Sequence, residues 1–455
     1  MTSSSTTEEI SIISRLAAPI ALAQLGLVGM SLVDTAILGH AGPTELAGGS
    51  LGRNIAFACG TLQMGLALAM EPLASQAVGA GDFGRARSAL RATLRTLALF
   101  WLPTAALALL AALLLEALGT EHQVAVRARW FILGQVPAIL FQGAFLAAKS
   151  YLQSHGKTFS IVLASAVANG VNVIVCNVLV RGDDALAAIH LAPRGLPKLG
   201  AFGAGLSVSI GGLVLTSIML GSAWSLKRGD SHAAKRVVSI REVLKYGMPV
   251  GLHMAAEVGV FAFVSVLTGR LGASVVAAHQ IALGLASFTF MGALGVSGAT
   301  AARVGQAVGA GRPSRIPGLV GVGLGMVVMS LGAAAFMGAP YALVSLFTED
   351  EGVRSLGVTL LHIAALFQLF DGIQAVAGGA LRGRGDVRFS FVAGVCSYWL
   401  IGFPVAAILA FPMRLGAVGL WIGLTAGLVA AAFALGARFL WLTRHERVQA
   451  AAARA

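Results

Sequence analysis

Ser75-Gln-Ala-Val-Gly-Ala-Gly81 returns later in the chain as Gly305-Gln-Ala-Val-Gly-Ala-Gly311, with only the first residue changed. The offset is 230 residues (305 − 75) in a chain of 455. The same offset carries Pro19 onto Pro249, each near the start of an apolar run. Leu152 to Gly156 likewise resembles Leu381 to Gly385, at an offset of 229 (381 − 152). Three echoes in the same order point to an internal duplication, which has to be read before any local feature. The unit is far too long for a solenoid. It describes two homologous halves, the plan of transporters whose site lies between repeats.

The chain is 57% hydrophobic and 11% charged, where soluble domains carry roughly 25% charged residues. A soluble fold of this size could not bury so much apolar surface, so lipid must be the solvent for most of it. Apolar stretches of about 20 residues recur, each long enough to cross a bilayer as a helix. Helix is the form that lipid demands, because each backbone N–H and C=O must be paired internally. The expected fold is therefore an all-α integral membrane protein with twelve transmembrane helices in two homologous six-helix lobes. The spans are expected near 14–38, 47–70, 92–117, 129–150, 158–180 and 200–225, then 246–269, 274–300, 316–346, 356–380, 389–411 and 415–441. The halves run 1–226 and 246–455, joined by a polar linker at 227–245. Thr6 and Glu9 are spaced as a capping box ahead of the first span.

The net charge of +13 is a topology signal and not a nucleic-acid footprint, because the basic residues sit in short loops between apolar runs. One alternate set of loops holds eighteen Lys and Arg, including Arg85, Arg87, Lys157, Arg303 and Arg384, and the other holds eight, including Arg129 and Arg270. The richer set belongs in the cytoplasm, with both termini on that side. Cys59, Cys176 and Cys396 all lie in apolar runs and read as small buried hydrophobes. No cleavable leader is expected: the polar start lacks a basic region and runs straight into the first span. The repeated phrase falls at the cytoplasmic ends of spans two and eight, where its glycines suit a tight turn or a close helix approach.

A charge deep in a span costs about 2.5–3.5 kcal/mol on insertion scales, so mid-depth carboxylates are informative. Three qualify: Asp34 in span one, Glu257 in span seven and Asp371 in span ten. Helical spacing places His253 on the face of Glu257, and Phe367 and Gln374 on the face of Asp371. Two carboxylates in one low-dielectric cavity are not both ionised cheaply without a cation. Such a pair would bind sodium through oxygens or share protons, so Glu257 and Asp371 are the candidate monovalent-cation ligands. Gln63, Asn169, Asn172, His279 and Gln280 are further polar candidates within spans, and cross-helix hydrogen bonding is their commoner use. Arg53, early in span two, is expected to snorkel to the outer interface. No G-x-x-x-x-G-K-[ST] or H-E-x-x-H is present, and no G-x-S-x-G elbow stands at a strand-to-helix turn, which counts against ATP-driven pumping and against common hydrolytic chemistry.

Several stretches together resemble the multidrug and toxic compound extrusion family, in its bacterial NorM-like branch. They are Ser31-Leu-Val-Asp-Thr-Ala-Ile-Leu-Gly39, Glu71-Pro-Leu-Ala-Ser-Gln-Ala-Val-Gly-Ala-Gly-Asp82, Ala277-Ala-His-Gln-Ile281, Phe370-Asp-Gly-Ile-Gln374 and Gly379-Ala-Leu-Arg-Gly383. The resemblance implies lobes set in a V around a central cavity, and export of cationic or amphipathic compounds in exchange for entering sodium ions or protons. It places the family's first-, seventh- and tenth-helix acids on Asp34, Glu257 and Asp371. Its fifth-helix polar pair falls on Asn172 and then on Cys176 or Asn177, and a tyrosine of some relatives falls on Phe367. The expectation is a cation-coupled exporter of the bacterial inner membrane, working as a monomer on small organic cations, with no cofactor beyond the coupling ion. The alternatives are a flippase for a lipid-linked precursor, which would want several cations in its cavity, and a membrane enzyme or scaffold.

Overall fold

The computed structural model describes residues 6–187, 194–226, 237–444 and 446. Among these, twelve helices are long and apolar enough to cross a membrane. They are α1 (Thr6–Ala41), α2 (Pro43–Gly79), α3 (Phe83–Leu113), α4 (His122–Ser154), α5 (Phe159–Arg181), α6 (Gly200–Ser225), α7 (Ile240–Gly269), α8 (Ala273–Gly309), α9 (Arg315–Gly338), α10 (Glu351–Arg384), α11 (Val387–Ala410) and α12 (Gly416–Leu442). Each expected span has its helix. Several run further, as α1 does at its start and α8 at its end, because a helix continues past the hydrocarbon that hydropathy detects. Two short helices, Asp183–Ala187 and Pro340–Ser345, lie in the connections after α5 and α9.

Large apolar side chains such as Leu102, Leu331, Leu400 and Phe433 point outward and would meet lipid. Inside, α4 packs on α2 and α6, and α5 on α6. In the later half, α10 is the central helix, packed on α8, α9 and α12. The halves meet through α1 on α8, α2 on α7 and the end of α2 on α8. Glycine makes these crossings possible. A Cβ on Gly65 would collide with the backbone of Gly251, and one on Gly295 with Ala17 and Ala21. The pairs Gly65·Gly251 and Gly295·Ala21 are related by the 230-residue offset, so the two crossings repeat one another.

Proline shapes several helices. Pro19 and Pro249 sit at matching places inside α1 and α7. In α2 the helix is interrupted at Ala69, where Pro72 has no N–H to give the carbonyl of Leu68. Pro404 leaves the carbonyl of Leu400 without its partner in the same way. The chain answers with a π-helical stretch, Cys396–Gly402, in which the Phe403 N–H donates to the Tyr398 carbonyl five residues back.

The repeated phrase ends α2 and α8 identically. Gly81 N–H donates to Val78 O and Asp82 N–H to Ala77 O; Gly311 N–H donates to Val308 O and Arg312 N–H to Ala307 O. This is the Schellman pattern, and Gly81 (φ 74°) and Gly311 (φ 66°) supply its left-handed residue.

Three expectations differ. Residues 227–236 of the linker lie outside the described residues, and α7 begins at Ile240, earlier than expected, under a capping box made by Ser239 and Glu242. Glu9 reaches across to Arg303 of α8, at 2.6 and 3.1 Å, where the sequence suggested a local bond to Thr6. Arg53 does not snorkel: its Nη1 donates to Ser31 O (2.9 Å), Ser31 Oγ (2.6 Å) and Thr35 Oγ1 (2.9 Å) of α1. Polar acceptors on the neighbouring helix were nearer than the interface.

Outside the spans, two carboxyls are fixed by their loops. His122 and then Arg129 hold Glu116, in the α3–α4 turn, below the usual carboxylate range. The N–H groups of Leu196, Arg194 and Gly195 do the same for Asp183 after α5.

Candidate functional site

Four polar side chains converge in the later half. Glu257 comes from the middle of α7 and Asp371 and Gln374 from α10. Tyr398 comes from the π-helical stretch of α11. The Tyr398 hydroxyl donates to Glu257 Oε1 at 3.1 Å. Gln374 Nε2 donates to the Tyr398 hydroxyl at 2.6 Å and lies 3.4 Å from the same carboxylate oxygen. Asp371, 8% exposed, is close enough for its charge to act on Glu257 and Tyr398. Two carboxylates thus share a site that carries no fixed positive charge of its own in contact. Their mutual repulsion in a low dielectric leaves room for one monovalent cation. The oxygens of Glu257, Asp371, Tyr398 and Gln374 are of the hard type that sodium takes. Among the described residues no group of three His, Cys, Asp or Glu converges as a multivalent metal would require.

His253 stands one turn before Glu257, with its ring centroid 6.1 Å from that of Tyr398. Its Nδ1 is buried and has no hydrogen-bond partner. It packs on the Cα of Gly394, where a Cβ would meet the imidazole.

The earlier half has its own acid. Asp34 is 1% exposed, seven residues (41 − 34) before the end of α1. It lies beside Asn172 and Cys176 of α5 and within the field of Arg53. Asn172 donates to Ser207 Oγ of α6 at 3.4 Å. Asp34 Oδ1, Asn172 Oδ1 and Arg53 Nη2 are each buried without a partner. Of the two α5 positions left open by the sequence, Cys176 shares this cluster, whereas Asn177 accepts from Arg181 at 3.5 Å.

The remaining candidates are placed elsewhere. His279 is fully buried; Trp421 Nε1 donates to its Nδ1 at 3.2 Å, and its Nε2 meets Ser265 Oγ at 2.9 Å. It therefore ties α8 to α7 and α12. Gln280 beside it is exposed. Phe367 is buried against Phe261 and Trp421. Gln63 donates across to Leu97 O of α3 at 3.1 Å. Asn169 donates to Ser165 O of its own helix at 2.8 Å. A groove of about 640 Å³ between α10 and α12, lined by His362, Leu366, Ile422 and Thr425 among others, is almost wholly apolar. It lies on the side of α10 away from Asp371, as nine residues of helix separate His362 from Asp371 by half a turn.

Two features were not singled out from the sequence. Tyr398 is one. The other is a set of bonds between the halves at the end of the bundle that carries the repeated phrase. Arg382 Nε donates to Glu71 Oε2 at 2.7 Å. Arg303 bonds Glu9, as above. Gln76 Nε2 donates to Gly383 O at 2.9 Å and Gln306 Nε2 to Ser154 O at 2.8 Å.

Comparison with known proteins fits this geometry. The family model described as MatE matches the chain twice, over residues 19–179 and 249–408. The chain is 34% identical to a probable multidrug resistance protein NorM of Bradyrhizobium diazoefficiens, covering 94% of this chain and 93% of that one. It is 36% identical to the corresponding protein of Pseudomonas aeruginosa, covering 96% and 90%. The multidrug resistance protein NorM of Burkholderia vietnamiensis is 34% identical, with 94% and 92% covered. Among solved structures, a eukaryotic MATE transporter superposes with a TM-score of 0.85 at 20% identity, over 98% of this chain and 99% of that one. A MATE protein in a bent conformation gives 0.83 at 17% identity, over 99% and 100%. These structures share the fold; with the doubled family match and the near-full-length relatives, they leave one conclusion, that this chain belongs to the MatE family.

Proposed function

We propose that the chain is a cation-coupled multidrug exporter of the bacterial inner membrane, acting on cationic or amphipathic compounds by alternating access. The observation that carries this reading is the meeting of Glu257 and Asp371, with Gln374 and Tyr398, inside helices that cross lipid. Acids at that depth are expensive and mark ion paths. A sodium ion or proton entering from outside occupies the carboxylate pair. The drug, itself cationic, competes for the same charge or for the conformation that exposes it. Binding of one then disfavours the other, which is what exchange requires. The basic loops, and with them the Gln-Ala-Val-Gly-Ala-Gly turns and both termini, lie in the cytoplasm. Asp34, with Asn172 and Cys176, serves as a substrate-linked or proton-linked acid in the earlier half. The NorM relatives carry multidrug resistance in their names, which supports small organic substrates here. The chain works as a monomer.

The test uses purified protein in liposomes. Ion-driven extrusion of a cationic dye is measured for the parent and for Asp371→Asn. The variant is expected to lose at least about 95% of ion-dependent extrusion, as removing one of two obligate charges costs several kcal/mol, at unchanged protein level. Unimpaired extrusion would remove Asp371 from the coupling role. Drug-driven release of radioactive sodium, compared with proton release, identifies the ion.

A further inference from the structure

Arg382 lies between the carboxylate site and the contact between the halves. It shares a face of α10 with Asp371 and Gln374, at helical spacings. Its Nε is 2.7 Å from Glu71 Oε2 on α2, and the two side chains are 17% and 6% exposed. Its Nη2 donates to Ser297 Oγ of α8 at 3.2 Å, and Ser297 in turn donates to Ala375 O at 2.6 Å. The charged or titratable groups within its field are Glu71, Glu257, His253 and Lys149, so the same guanidinium is attracted to one carboxylate in each half.

The internal repeat supplies a control for what packing alone needs here. Displaced by the repeat offset, Glu71 corresponds to Ala301 and Arg382 to Gln153. That second position carries no charge, and the Gln153 amide is buried without a hydrogen-bond partner. The glutamine bonds from Gln76 to Gly383 and from Gln306 to Ser154 occur in both halves, whereas the ion pair occurs in one. It is the half whose Glu257 lies within the field of Arg382. The other side of the seam is tied by Arg303 and Glu9 at different positions, so the repeat does not fix a charge at this one, and what sets Arg382 apart is its reach toward Glu257.

We propose that Arg382 is the positioning residue that ties cation occupancy of the Glu257–Asp371 site to the seam between the halves. Negative charge on those carboxylates helps keep the guanidinium buried against Glu71. A cation arriving there cancels that help, the buried pair gives way to solvation of its two ends, and the seam opens toward the cytoplasm. The inference rests on the reading that Glu257 and Asp371 hold the coupling cation. It adds the part that transmits occupancy, and by reciprocity an open seam weakens cation binding.

The test places a reporter in the seam. Ser75 is fully buried against Gly305, so Ser75→Cys reacts with a membrane-permeant maleimide only when the seam opens. Labelling is counted as the increment over the parent chain, which has free Cys59, Cys176 and Cys396. In liposomes, saturating external sodium in one arm and external acid in the other should reveal a response to the coupling cation, raising the labelling rate about fivefold or more. In Arg382→Gln the reporter should label fast with or without the cation, while radioactive sodium binding or dye-displaced proton release persists. Arg382→Lys should restore part of the response. Should Arg382→Gln not fold, Glu71→Gln breaks the same pair from the other half and should give the same cation-independent labelling. The proposal is overturned if Arg382→Gln or Glu71→Gln keeps the full cation response, or if the parent responds to neither cation. Asp371→Asn separates the two ideas: a response retained there, but lost in Arg382→Gln, overturns the carboxylate reading itself and with it the source of the signal.

Discussion

A carboxylate held in hydrocarbon depends on the few donors within reach, and for Glu257 the nearest is a tyrosine. Tyr398→Phe removes a hydrogen bond to a charged group, worth about 1.5–3 kcal/mol. It also removes an oxygen that a bound sodium ion would use. In a sodium gradient the half-saturating concentration for dye extrusion should therefore rise about tenfold or more, and the melting temperature should fall by a few degrees. An unchanged sodium dependence would leave Tyr398 as packing alone. The acids themselves were legible in the sequence, because a charge in an apolar run stands out against its cost. Tyr398 was not: a tyrosine in such a run is apolar enough to pass as packing, and its role depends on Glu257, 141 residues away. Arg53 stands out in the sequence as a charge in an apolar run, but its surroundings do not. Depth along a helix can be counted from sequence, but the direction in which a long side chain leaves the helix depends on Ser31 and Thr35 of a neighbour. Cys176 settles beside Asp34 for a simple reason: it follows Asn172 by four residues and so shares its helix face.

At the scale of the helix, glycine content divides into positions that admit a neighbour and positions that do not. Gly65→Ala would drive a methyl into the backbone of Gly251 on α7, and overpacking of this kind costs about 1–3 kcal/mol. Gly60, one and a half turns earlier in α2, has open space where a Cβ would stand. Gly60→Ala should leave stability unchanged or raise it by up to about 1 kcal/mol, the helix-propensity gain of alanine over glycine. Thermal denaturation in detergent compares the two, and equal melting temperatures would show that the α2–α7 crossing is looser than its contacts suggest. The spans were readable from composition alone because lipid accepts one kind of element. Their distortions were harder to read. Pro404 announces a break, but whether the chain kinks, unwinds or widens by one residue is decided by what α11 must place. Here the widened turn sets Tyr398 toward Glu257. Pro404→Ala should let the stretch from Cys396 to Gly402 return to α-helix and rotate Tyr398 away. The expected result is the transport defect of Tyr398→Phe in a protein at least as stable as the parent.

The whole molecule is two copies of one unit, and the seam between them shows which bonds belong to the shared plan. Gln76 donates to Gly383 O, and Gln306 to Ser154 O. The residues correspond at offsets of 230 (306 − 76) and 229 (383 − 154). The backbone contacts pair off likewise, Gly79 against Gln306 and Gly309 against Gln76. The repeated phrase therefore ends two helices and also fastens each half to the other, a role that a motif read along one chain cannot display. The ion pairs Glu71–Arg382 and Glu9–Arg303 have no such counterparts, and their partners are 311 and 294 residues apart; nothing local signals them. This difference makes a prediction that belongs to the molecule as a whole. Gln76→Ala and Gln306→Ala each delete one donor and leave a carbonyl unpaired in the seam, at about 1–3 kcal/mol, and Gln306→Ala also removes the acceptor of Arg303 Nη1, which lies 2.8 Å from Gln306 Oε1. Measured in an Arg303→Ala background, where that extra bond is absent, the two losses should agree within about 0.5 kcal/mol, the usual scatter for independent sites. Hydrogen–deuterium exchange at the turns ending in Gly81 and Gly311 should quicken alike in both variants. Glu71→Ala should instead act on one half only, quickening exchange beside Arg382 while the turn after α8 keeps its protection. If the glutamine variants differ as widely as the charge variants do, then the two halves do not share one seam, and the duplication has kept its shape without keeping its mechanics.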